Sequence, residues 1–117
     1  MLQRWWHAVV LIAIAASPAA AAAAELEIVN SSSKAIHELY LAAAGERSWG
    51  ADRLRTKQPS VIARGETHVV AGLAPGLYQL MLVDADGGEC EIEGVEIGTT
   101  LRIDLTAKRL RECISSH

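Results

Sequence analysis

Most of the signatures that betray an enzyme or a metal site are missing from this sequence. Only two cysteines occur, Cys90 and Cys113, and they are far from a Cys-x-x-Cys spacing, so a redox or metal pair has no support. The four histidines are scattered, and none shows the His-x-x-x-His spacing that sets two imidazoles on one helix face for zinc. No Gly-x-Ser-x-Gly elbow is present to present a serine nucleophile. Glu38 follows His37 directly, but neighbours on a strand point to opposite faces, which argues against a proton-transfer pair. The chain reads as non-enzymatic, with no catalytic residue, cofactor or metal ligand assigned.

Positive charge is also short. Eleven basic residues stand against 14 acidic ones, for a net charge of −3. Removing residues 1–24 takes away only Arg4 and moves the balance to −4. Nucleic acid calls for a clustered basic surface, so it is excluded as a partner. A long apolar run is missing as well. Residues 8–16 (AVVLIAIAA) are apolar, but Pro18 follows and the segment ends in alanines. A membrane anchor wants about 20 strongly apolar residues. A positive start, a short apolar centre and small-x-small positions at 19–24 are instead the layout of a secretory signal peptide, with cleavage expected after Ala24. There is no twin arginine and no cysteine for lipid attachment. The expected organisation is a signal peptide over 1–24 and one domain over 25–117. The product would be periplasmic or secreted, with no stable membrane anchor.

What remains is strand-like. Residues 25–30 (ELEIVN) alternate, with Leu26 and Ile28 on one face. Residues 35–43 place Leu39, Leu41 and Ala43 on one face and Ile36 and Tyr40 on the other, although Ala, Leu and Glu leave a helical alternative open. Short strands are expected at 60–62 and 67–71, then a turn over 72–76, where proline and glycine supply the turn chemistry. Residues 77–83 (LYQLMLV) form the clearest strand, and a hairpin at 84–88 leads into 89–93. Gly94 interrupts, Val95 and Ile97 continue, and 99–105 (TTLRIDL) is the last strand, leaving a basic amphipathic tail over 107–117. Six or seven short strands without helical periodicity predict a small all-β, antiparallel β-sandwich, Ig-like or related. In an oxidising compartment Cys90 and Cys113 are expected to pair. Closing a loop of that size stabilises by about 3 kcal/mol.

The segment between the second and third strands holds the most distinctive residues, Trp49-Gly50-x-Asp52-x-Leu54. A loop this long inside a small domain is expected to be packed or to hold one helical turn, which Ser48 is placed to cap. Trp49 offers a large apolar area, Gly50 a sharp turn, and Asp52 an acceptor for backbone N–H groups. The preferred expectation is that Trp49 is buried and plugs the domain. The alternative makes Trp49 and Asp52 a binding site for a sugar or peptide. Together with Asn30, Ile36, Leu39-Tyr40-Leu41, Gly65, Tyr78 and Asp84-x-Asp86-Gly87, this motif resembles a small exported bacterial β-sandwich family of unknown function. The resemblance spans residues 25–105 and implies a fold and an export route, not an activity. Similar sequences often carry aspartate after the tyrosine, where this chain has Gln79.

An acidic cluster runs from Asp84 through Glu96. Asp84-x-Asp86-Gly87 matches the opening of a calcium loop, but a third ligand and the closing glutamate are missing. The expected reading is a turn followed by a solvated face, relieved by the basic side chains Lys108, Arg109 and Arg111. The function expected from sequence is a binding or interaction module for an unknown protein, peptide or glycan. The alternatives are a small inhibitor of an envelope or host hydrolase and a weak divalent cation binder.

Overall fold

A computed structural model describes residues 23–115, so the expected signal peptide lies almost wholly outside the described residues. Six strands and one helix follow one another: β1 (Ala24–Ser31), β2 (Ile36–Ala43), β3 (Thr67–Leu73), β4 (Gly76–Asp84), β5 (Glu89–Ile97), β6 (Thr100–Thr106) and α1 (Ala107–Ser115). Two three-stranded sheets, ordered β3-β1-β6 and β2-β4-β5, enclose one apolar core. The protein is a small all-β sandwich with one short helix, as its strand pattern predicts. One pairing departs from a purely antiparallel arrangement, because β1 runs parallel to β6. These strands have no hairpin between them, and only a direct hairpin imposes antiparallel order.

The core is built from aliphatic residues delivered by alternation, with Leu26 and Ile28 of β1 fully buried as expected. Irregularities in register decide the rest. In β2 the pairing with β4 shifts between Ile36 and Glu38. That extra residue turns Ile36 onto the side of Leu39, and both are fully buried. The expected placement of Ile36 beside Tyr40 is therefore corrected. The turn expected over 72–76 is shorter, because β3 continues to Leu73 through a register shift at Gly72 (φ 72°). Gly94 (φ 68°) sits in a similar shift and bends β5 without ending it. Both positions lie in the left-handed region that glycine enters without a Cβ penalty. Residues 60–62 form a single bridge, Ile36 to Ile62, and not a strand.

The basic tail folds as α1. Thr106 Oγ accepts the Arg109 N–H at 3.1 Å, an N-cap that starts the helix at the end of β6. Leu110 is buried beneath the helix, and Cys113 is disulfide-bonded to Cys90 of β5 as expected. A Cβ on Gly88 would come within 2.9 Å of Ile114 Cδ1, so the hairpin and helix meet closely there. Of the tail's basic groups, Lys108 pairs with Glu112 one turn along the same helix. No helix among the described residues is long and apolar enough to cross a membrane.

Candidate functional site

The β2–β3 segment is fastened at several points. At its start, Gln79 Nε2 donates to Glu46 O at 2.9 Å. An aspartate here would have no side-chain N–H to offer, so the amide of Gln79 is itself the tether. At its centre, Asp52 Oδ1 accepts the N–H groups of Leu39 (3.0 Å) and Leu54 (2.9 Å). The short turn over residues 53–56 therefore begins at Asp52. Ser48, the expected cap, instead accepts the Gly50 N–H at 3.3 Å. At its end, Asn30 is fully buried and donates Nδ2 to Ile62 O (2.9 Å) and Lys34 O (2.8 Å), while Oδ1 accepts from Ser32. One side chain thus ties both loops that flank β2.

Leu54, not Trp49, is the plug. Leu54 is fully buried in the main core, whereas Trp49 is half-buried and lines an open groove. The expectation of a core tryptophan is corrected, and the reason is local. Asp52 pulls the chain against β2 two residues before Leu54, which leaves Trp49 on the solvent side of the clasp.

The groove has a volume of about 710 Å³ and lies between the edges of the two sheets. β2 contributes Leu41 and Ala42, β3 contributes residues 68–71, and the connecting segment contributes Trp49, Asp52, Arg53 and Arg55 among others. Its two bordering strands are treated differently. The outer edge of β2 is covered over its first half: Leu39 N–H is held by Asp52, Leu39 O by Arg53 N (2.7 Å), and Ile36 exchanges both bonds with Ile62. Such covering is how a sheet suppresses unwanted pairing.

Among the described residues, β3 has no such cover. Along β1, Asn30 N donates to Glu66 O (2.9 Å) on the β3 side and Glu25 N donates to Thr99 O (2.7 Å) on the β6 side. Even-numbered residues of β1 therefore face β3, with Leu26 opposite Val70 and Ile28 opposite His68. Ladder alternation then turns the N–H and C=O groups of Thr67 and Val69 away from β1. No strand among the described residues pairs with this outer edge, and the Val69 side chain is 44% exposed. His68 is held below its ordinary value of 6.5, first by burial and then by the charge of Lys57.

Of the residues singled out from sequence, Trp49 and Asp52 both border the groove, but their roles differ: Asp52 is a backbone clasp and Trp49 a wall. Thr67, Val69, Arg53 and Arg55 were missed. Their signal was faint: a Val69-Val70 pair in which one valine has to face out, and five of the ten basic residues beyond residue 24 falling within 44–66. The acidic cluster does not converge. Asp84 is buried with Oδ1 accepting the N–H groups of Asp86 (3.0 Å) and Gly88 (2.8 Å), and Asp86 pairs with Lys34. Among the described residues, no three His, Cys, Asp or Glu side chains gather as a metal site would require. No protein-family model matches the chain, and no curated protein or solved structure matches it either.

Proposed function

We propose that this protein is an exported, non-enzymatic binding module that captures an extended polypeptide by adding it as a strand to the outer edge of β3. The observation that carries this reading is the outer edge of β3, which turns the main-chain groups of Thr67 and Val69 away from β1 and pairs with no strand among the described residues. Strand addition draws affinity from main-chain hydrogen bonds and specificity from flanking pockets. Thr67 and Val69 offer the main-chain groups, and Trp49 with Leu41 offers an apolar wall for alternate side chains. Export is supported by the arrangement of residues 1–24 and by the Cys90–Cys113 disulfide, a bond that oxidising compartments favour. The resemblance to a small exported bacterial family belongs to the same proposal.

Val69→Pro tests it. Proline removes one outward N–H while the β1-facing bonds of His68 and Val70 remain, and an edge strand tolerates it. Peptides selected from a displayed decapeptide library on the native protein should lose binding to a folded Val69→Pro variant. Undiminished binding would overturn strand addition at β3.

A further inference from the structure

We propose that a second cavity, between α1, the β1–β2 turn and the β4–β5 hairpin, binds a zwitterionic aliphatic amino acid. This cavity has a volume of about 370 Å³ and shares no lining residue with the groove beside β3. Sites for small molecules start at roughly 300 Å³, so the space suits a compact ligand. The cavity exists because of how the chain ends. Thr106 caps α1 and Cys113 ties it to β5, and the helix then forms one wall beside the hairpin.

Three features of the lining specify the occupant. The first is an apolar wall, made by Ala107, Leu110 and Ile114 at the spacing of one helix face. The second is Asp84, which lines the cavity from the hairpin and is only 3% exposed. Its Oδ1 accepts the N–H groups of both Asp86 and Gly88, while Oδ2 meets no hydrogen-bond donor among the described residues. A buried carboxylate with an unmet oxygen is costly, and an ammonium group in the cavity would meet it. The third is Arg111, which lines the same cavity, is exposed, and forms no ion pair among the described residues. A guanidinium group takes a carboxylate in a planar fork.

The remaining charged side chains of the lining, Lys34 and Asp86, are paired with each other. Two positive and two negative side chains give the lining a formal charge of zero. Net charge therefore favours neither a lone cation nor a lone anion. What the lining has left over is one acceptor and one donor of opposite sign beside an aliphatic wall. An α-amino acid carries both charges at neutral pH and leaves an aliphatic side chain for Leu110 and Ile114.

The probes are leucine and the two molecules that each lack one of its charged groups, isoamylamine and isocaproate. Calorimetric titration of the native protein should show leucine binding about ten-fold tighter than either. Arg111→Met should reduce leucine to the level of isoamylamine, and Asp84→Asn should reduce it to the level of isocaproate. Asparagine keeps an acceptor for the hairpin N–H groups, and Arg111 is exposed, so Arg111→Met reads the site should Asp84→Asn fail to fold. Val69→Pro should leave leucine binding unchanged, which separates this cavity from strand capture at β3. Equal affinity for all three probes would show that the apolar wall alone selects, and would overturn the zwitterion. Absence of binding by leucine at millimolar concentration, or undiminished binding in Arg111→Met, would overturn the site.

Discussion

Asp52 Oδ1 lies 3.0 Å from the Leu39 amide nitrogen, thirteen residues earlier in the chain, and this bond covers the edge of β2 at Leu39. The same oxygen holds Leu54 N–H at 2.9 Å, so one carboxylate seals a strand and starts a turn. Asp52→Ala would leave the partly buried Leu39 donor unmet, at a cost of about 1–3 kcal/mol. Asp52→Asn keeps the acceptor and should lose less. Urea unfolding gives the stability, and hydrogen exchange at Leu39 reports the edge directly. Unchanged protection of Leu39 in Asp52→Ala would show that the clasp is dispensable.

The burial difference between Leu54 and Trp49 predicts an inverted pair of phenotypes. Leu54→Ala opens a cavity in the core and should cost about 2–5 kcal/mol. Trp49→Ala, at a half-buried position, should cost on the order of 1 kcal/mol and leave the fold intact. Against a typical total of about 5–15 kcal/mol, the first threatens folding and the second does not. Peptide capture should respond the other way, with Trp49→Ala weakening it in a folded protein. Thermal denaturation and titration of the two variants decide the matter. A larger stability loss for Trp49→Ala would return it to the core.

The disulfide links the fully buried Cys90 to Cys113 across 23 residues and holds α1 against β5. Cys113→Ser should lower stability by about 3 kcal/mol on loop-entropy grounds. Amide exchange in α1 should rise while β1 to β4 keep their protection, because the helix touches β5 and β6. Uniform loss of protection across the sandwich would mean that α1 is integral to the core and not an appended brace.

Acidification should weaken the protein in a definite order. His68 is depressed below 6.5, so the unfolded chain takes up its proton first, and stability declines as pH falls through and below 6.5. Glu66 is held below 4.5 by the Ala63 N–H and then by Lys57, so its contribution is present above 4.5 and is lost as pH falls through its lower folded value. Lys57 acts on both, donating to Glu66 Oε2 at 3.2 Å. Lys57→Met should therefore raise the apparent pKa of each group, as read by NMR titration of the His68 ring and the Glu66 carboxyl. An unmoved His68 titration would exclude the charge of Lys57 as a cause.

Alternation along 25–30, 77–83 and 99–105 was enough to place β1, β4 and β6 and to predict two packed sheets, because a buried face imposes a period of two on any strand. Two cysteines beyond residue 24 were enough to predict their bond. Which residues face inward near Ile36, Gly72 and Gly94 was not legible, since each lies at a register shift and one extra residue reverses the face. The site divides in the same way. Trp49-Gly50-x-Asp52-x-Leu54 marks the segment, and composition alone says that it must be fastened. Only the tertiary structure decides that Asp52 spans to Leu39, that Leu54 enters the core, and that Trp49 stays outside it, half-buried. The open edge of β3 is further from sequence still. An edge is defined by which strand fails to arrive, and that depends on the path of the whole chain around the two sheets, not on any residue within β3.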